Sequence, residues 1–471
     1  MFLLRCAGRM IPPLLALCLA PLAMASDPYP STYNPVPSAA VLIHGAVVYT
    51  GDGRLIEDGY VLMSGGLVQD VGQGYPEVDD TVRVIDAAGK TVTPGLIDVH
   101  SHLGDYPAPG YQPHSAGNEM TSPVTSEVWA EHSVWPQDPQ FPLALAGGVT
   151  TLQVLPGSAN LFGGRSVTLK NVSATTVQGM KFPGAPYGLK MACGENPKRI
   201  YGEGMKRAPA TRMGNFAGYR KAWIDAGEYR DKWADYEAAL ASYQQAIADP
   251  EEGEEVPDEP KPPKRDLQLE TLVGVLDGEI LVHNHCYRAD EMALIVDLSK
   301  EFGYQVTAFH HAVESYKIAG LLAENGICSA LWADWWRFKL EAFDGIEENI
   351  AIVHDAGACA IVHSDSALGI QRLNQEAAKA LAAGLEMGLD ISKPEAMTWL
   401  TQNAAGALGI GDVVGTLTPG KMADVVVWSH DPFSVYARAE KVYIDGHLVF
   451  DLARDLKPVT DYELGQRVTE W

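Results

Sequence analysis

The stretch "VTPGLIDVHSHLGD", residues 92–105, sets three polar residues at alternate positions inside an apolar run. In an extended strand alternate side chains share a face, so Asp98, His100 and His102 are expected to point the same way. An isolated H-x-H is explained equally well by two hydrogen-bonded histidines at a strand end and by a pair of metal ligands. The choice turns on what the rest of the chain adds.

Other apolar runs end in the same way. His283 and His285 close "ILVHNH", His310 and His311 close "VTAFHH", and Asp365 ends "AIVHSD". Candidate strands at 148–155, 187–193, 279–285, 304–311, 326–332 and 358–365 alternate with helical patterns such as "ADEMALIVDLSKEFG" and "SYKIAGLLAENG". Repeated βα units predict a parallel sheet, and this many predict an α/β fold built on a (β/α)8 TIM barrel. Such barrels place their chemistry at the C-terminal ends of the strands, where loops converge over rigid positions. Four strand ends carrying His, His, His and Asp therefore read as one metal-binding constellation.

The two ends of the chain differ from the middle. Short β runs with turn signals fill 41–93, and a matching block returns over 415–455, so the ends are expected to build one small β-sandwich beside a barrel spanning 94–414. Residues 26–40 are rich in Pro and Ser and read as an exposed lead-in. Residues 1–25 have a charged start (Arg5, Arg9), an apolar middle interrupted by Pro12, Pro13 and Pro21, and the small-residue site Ala23-Met24-Ala25. That is the layout of a secretory signal peptide cleaved after Ala25, which implies a periplasmic or secreted protein. No later segment is long and apolar enough to span a membrane.

Within the barrel one segment exceeds the minimum. Residues 212–266 hold a Trp- and Tyr-rich helical stretch followed by the acidic "DPEEGEEVPDEPKPPKRD", with a new helix capped by Asp266. Inserted after a strand, this excursion either overhangs the catalytic face or is an ornament beside it. Of the six cysteines, Cys6 and Cys18 fall in the leader. Cys193, Cys286, Cys328 and Cys359 show no paired spacing and are expected to be mostly free and buried, Cys193 and Cys286 as packing residues. The formal net charge of −25 argues against nucleic acid and anionic membranes as partners.

Imidazoles and a carboxylate suit a borderline divalent ion such as Zn2+. Such an ion lowers the pKa of its water to about 7. A neighbouring carboxylate, for which Asp365 is the candidate, can take the proton and return it to a leaving amine. Hydrolysis of a small molecule at a carbonyl or amidine carbon follows as the reaction class.

"PGLIDVHSH", "LALAGGVTT", "GLKMACGENPKR", "VHNH", "HH", "HSD" and the closing "GTLTPGKMADVVVW…VYIDG" resemble the metal-dependent amidohydrolase superfamily, in its imidazolonepropionase- and prolidase-like branch. The likeness covers the mature chain apart from the insertion. It implies His100 and His102 as ligands from the first strand, His283 from the fifth, His311 from the sixth and Asp365 from the eighth. His285 and His310 then stand near the substrate. On the fourth strand it implies either a carboxylated lysine bridging two ions, at Lys190, or a glutamate, at Glu195. Lys190 is preferred, because an unpaired lysine is rarely buried in a strand without a role.

Among weaker signals, Arg165, Arg199 or Arg212 can hold a substrate carboxylate. His114 and His132 lie in the loop after the first strand, and Trp332, Trp335 and Trp336 read as core or pocket wall. The leading expectation is an exported amidohydrolase acting on an amide, peptide-like or cyclic amide bond, compatible with a homo-oligomer. The alternatives are a deaminase of a heterocyclic amidine and a non-catalytic binding protein that keeps the fold.

Overall fold

The computed structural model describes residues 27–249 and 257–454. The expected leader at 1–25, part of the acidic loop and residue 455 lie outside the described residues. Residues 27–30 belong to a separate small unit, a bend in which the Tyr29 N–H donates to the Asp27 carboxylate at 3.0 Å. All that follows concerns the larger unit.

Five strands precede the barrel: β1 (Val41–Tyr49), β2 (Leu55–Ser64), β3 (Leu67–Gln73), β4 (Arg83–Asp86) and β5 (Thr91–Pro94). The barrel strands are β6 (Leu96–Ser101), β7 (Val149–Val154), β8 (Phe162–Lys170), β9 (Gly188–Ala192), β10 (Leu281–Cys286), β11 (Ala308–His311), β12 (Cys328–Leu331) and β13 (Ala360–Val362). The chain returns to the first sheet with β14 (Val425–Trp428), β15 (Ala439–Ile444) and β16 (His447–Asp451).

The first sheet runs β16-β15-β14-β5-β1-β2-β3, with β4 beside β1. Its seam is β5, parallel to β1 and antiparallel to β14, so both chain ends do meet in one sandwich. Ile43, Val61, Met63, Val425 and Tyr443 fill its core. A buried ion cluster fastens it to the barrel: Lys170 of β8 lies 2.9 Å from Asp445 and 3.5 Å from Asp424. The lead-in shares in this, since the half-buried Tyr33 donates its hydroxyl to Asp445.

The second sheet follows chain order from β6 to β13 and forms a nearly closed barrel. All six residues of β6 are buried, as a strand covered on both faces requires. The seam between β13 and β6 is bridged by the chain at 399–400, where Trp399 O accepts from Val362 N–H and Leu400 O from Ile97 N–H. Above them the Asp365 N–H donates to His100 O at 3.0 Å. One strand departs from the simple alternation. β8 is antiparallel to both β7 and β9, because residues 155–161, all described, turn the chain straight back without a helix.

The excursion after β9 is one long helix, Arg212–Ala248, started by the Thr211 hydroxyl accepting from Gly214 N–H at 3.1 Å. Tyr219, Ala222, Trp223, Ala226 and Tyr229 recur at helical spacing and are buried, and the buried face ends there. Asp266 caps the next helix, Leu267–Leu276, accepting from Gln268 and Leu269 N–H. The first half of the excursion is thus packed into the core.

The cysteines depart from expectation. Cys193 is bonded to Cys286 and Cys328 to Cys359, so none of the four is free. The pairs are neighbours across parallel strands, brought to Cα separations of 5.1 and 4.4 Å by sheet register. Separations of 93 and 31 residues along the chain conceal this from spacing rules.

Candidate active site

The inward faces of the barrel converge on one polar cluster. Parallel pairing sets Lys190 of β9 beside His283 of β10, and His285 of β10 beside His310 of β11. His100 and Lys190 are fully buried, as are His283 and His310. His100 is central: its Nε2 lies 3.3 Å from Lys190 Nζ and 3.6 Å from Asp365 Oδ1, and its Nδ1 lies 2.8 Å from His310 Nδ1. His310 Nε2 reaches His283 Nδ1 at 2.9 Å. His102 Nε2 lies 3.2 Å from Asp365 Oδ1, while its Nδ1 is bound to Leu155 O at 2.7 Å.

Among the described residues two triplets of ligand atoms each lie within 4.8 Å of one another, His100/His102/Asp365 and His100/His310/His363, and they share His100. His283 Nε2, His285 Nδ1 and His363 Nδ1 are buried without a hydrogen-bond partner. Buried imidazole nitrogens left unsatisfied are costly unless something else meets them. A borderline divalent ion takes this donor set, so the residues fit such a group.

The electrostatics agree with neutral donors. Burial, with the Lys190 charge nearby, pushes His283 down to about 3, and burial pushes His363 down to about 4. His100, His285, His310 and His311 are held well below the ordinary imidazole value, first by burial. Burial also pushes Lys190 down to about 8. For Asp365 burial acts upward, but the hydrogen bond and charge of His102 outweigh it and hold the carboxyl low.

Asp98 behaves differently from its expected role on the histidine face. Its Oδ1 accepts from the His100 N–H (3.1 Å) and the Ser364 N–H (3.2 Å), and its Oδ2 accepts from the Ser364 hydroxyl. The carboxylate therefore ties β6 to the turn carrying Asp365, despite burial that pushes it up to about 7. Ser364 was not singled out from sequence. Only its neighbour in "HSD" carried a signal.

The sixth-strand pair divides. His310 bridges His100 and His283, and His311 ends the strand with φ +68° and keeps its ring 4.7 Å from that of His100. His311 is bonded to His363 at 3.0 Å, stacks on Trp332 at 4.2 Å and stays 3.8 Å from Asp365 Oδ2. Trp332 is a wall, fixed by its Nε1–H donating to Ser364 O. Lys190 rather than Glu195 touches His100. Glu195 opens a short helix after β9 and faces Lys339 at 3.5 Å. His285 receives Asn196 Nδ2 at 3.3 Å. Arg165 lies over the Trp129 ring and donates to Thr271, Arg212 pairs with Asp290, His114 packs on Trp135, and His132 stacks on Trp129.

Comparison with known proteins gives concordant results. The amidohydrolase family model matches residues 232–449. An amidohydrolase of known structure from Thermotoga maritima MSB8 is 35% identical with a TM-score of 0.71, covering 87% of this chain and 100% of that one. Amidohydrolase tasK of Hapsidospora irregularis is 32% identical over 446 residues, 87% of this chain but 43% of its own length. This chain therefore spans less than half of that relative. Imidazolonepropionase of Paracoccus denitrificans is 26% identical over 82% of this chain and 93% of its own.

Proposed function

Because the chain belongs to the amidohydrolase family, we propose that it hydrolyses an amide, peptide-like or cyclic amide C–N bond with divalent metal held at the barrel's strand ends. His100, His102, Lys190 in carboxylated form, His283, His310 and Asp365 would hold Zn2+ or a similar ion, with His311, the sixth-strand ligand expected from sequence, beside Asp365. Such an ion supplies Lewis acidity and brings the pKa of water toward about 7.

The chain's own residues do the rest. Asp365, beside His102 and not fully enclosed, accepts the proton of the attacking water and delivers it to the departing nitrogen. The Leu155 carbonyl accepts from His102 Nδ1 and so fixes the ring, leaving Nε2 as the atom that would take a metal beside Asp365. Asp98 and Ser364 hold His100 and Asp365 at a constant separation. Trp332 and His311 wall one side and exclude water.

The convergence of His100, His102 and Asp365 beside the buried Lys190 carries this reading. Elemental analysis with and without bicarbonate, joined to a screen of N-acyl amino acids, dipeptides, hydantoins and aminated heterocycles, tests it. Metal-free protein that stays inactive after Zn2+ loading would refute it. Ammonia release from the heterocycles alone would move the reaction to deamination.

We also propose that the protein works outside the cytoplasm. The leader-like start and the two disulfides support this, since such bonds persist in oxidising compartments. Recovery of the full chain in the cytoplasmic fraction, uncleaved and with free thiols, would contradict it.

A further inference from the structure

We propose that the Cys193–Cys286 bridge and the first half of helix Arg212–Ala248 form a clamp that positions the ends of β9 and β10, and with them Lys190, Asn196, His283 and His285. The inference rests on the metal reading above for what the clamp serves, and goes beyond it in assigning a role to the bridge and the excursion.

After β9 the chain leaves the barrel at Ala192 and rejoins it only at Leu281. A strand end followed by so long a departure has little local reason to stay in place. Here four tethers meet on three residues. The Tyr219 hydroxyl donates to Ala192 O, and the Asn215 side-chain amide donates to Gly194 O at 3.0 Å. The Cys193 N–H donates to His285 O at 2.8 Å, and its sulfur is bonded to Cys286, the residue after His285. Trp223 secures the helix from behind, edge-on to Phe162 of β8 and packed on Tyr304. Cys193, Cys286 and Tyr219 are all buried.

The clamped segment faces the site on both sides. Lys190 lies three residues before Cys193, and Asn196, three residues after it, contacts His285. Sub-ångström placement of ligands depends on such supporting contacts. The other bridge provides an internal control. Cys328 opens β12 and Cys359 precedes β13, so Cys328–Cys359 joins neighbouring strands at the opposite end of the barrel from the ligands.

The test compares wild type with Cys193→Ala/Cys286→Ala, Cys328→Ala/Cys359→Ala and Tyr219→Phe, each as the full chain. Co2+ affinity is measured by calorimetry, and amide hydrogen exchange over 189–196 and 281–287 is followed in metal-free protein. The Cys193/Cys286 double variant is expected to bind Co2+ at least tenfold more weakly, and Tyr219→Phe about threefold more weakly. Both should exchange faster in those two segments. The Cys328/Cys359 variant should lose Tm yet keep Co2+ affinity within twofold. Equal affinities and unchanged exchange in the first pair, or parallel losses in both double variants, would overturn the clamp. If the Cys193/Cys286 variant does not fold, Tyr219→Phe decides by the same criteria. If wild type binds no Co2+, the metal reading fails while exchange still decides whether the segment is clamped.

Discussion

Asp98 offers a sharp test of how the site is held together, because it is fully buried and supports two catalytic-end elements without belonging to the ligand triplets. In Asp98→Ala the His100 and Ser364 N–H groups lose their acceptor in a region closed to water. A buried donor left unsatisfied costs about 1–3 kcal/mol, so two cost roughly 2–6 kcal/mol, before counting the Ser364 hydroxyl. Against a typical margin of about 5–15 kcal/mol that is a large fraction. Asp98→Asn is the informative partner. Its amide oxygen can still accept both N–H groups, and its NH2 can donate to the Ser364 oxygen, so a loss of about 1 kcal/mol is expected. Urea titration followed by tryptophan fluorescence gives both values, and metal content measured on the same samples shows whether His100 has moved. Retention of stability to within about 1 kcal/mol in Asp98→Ala would refute the reasoning. So would an asparagine variant as damaged as the alanine one.

His310→Ala should lose most bound metal and His311→Ala less of it, because His310 shares a ligand triplet with His100 whereas His311 lies beside Asp365 at 3.8 Å and in neither triplet. The reverse pattern in elemental analysis would make His311 the sixth-strand ligand, as expected from sequence. Asp365→Asn should keep metal and lower kcat by about 10²–10⁴-fold, since an amide can neither accept nor return the proton. Retention of a tenth of wild-type kcat would exclude it as the shuttle. Trp223→Ala should cost about 3–5 kcal/mol through loss of its buried contacts with Phe162 and Tyr304, while Trp233→Ala, beyond the buried face, should cost under half of that. Equal shifts in thermal melts would mean that the helix packs along its whole length.

Much of the site could be read in sequence because strand alternation and strand ends are local properties. The polar residues of "DVHSH" and the two histidines of "VHNH" needed only period two and the barrel's chemistry at strand C-termini. What escaped depends on three-dimensional register. In "VTAFHH" nothing local shows which histidine faces inward. The pairing of His285 with His310 puts His310 on the face of His285, while His311, with a left-handed backbone, also keeps its ring beside the cluster, 4.7 Å from His100 and 3.8 Å from Asp365. Asp98 obeys the alternation on paper, yet the turn at Ser364, far along the chain, supplies donors that capture its carboxylate. The Cys193–Cys286 bridge is a neighbour relation across two parallel strands, hidden by the long excursion between them. β8 was missed because its "FGGRSVTLK" carries a Gly pair and has no preceding helix to mark it as part of the alternating series. The branched, β-forming Val167 and Thr168 were the available signal.

The most direct test of the metal centre is the metal content of purified wild type beside His100→Ala, measured by plasma mass spectrometry after growth in zinc-supplemented medium. Wild type should carry one to two equivalents of divalent metal. His100→Ala should hold less than a tenth of that and keep its far-ultraviolet circular dichroism, because His100 is the residue that both ligand triplets share. Equal metal in the two proteins, or none in wild type, would contradict a metal centre at these strand ends.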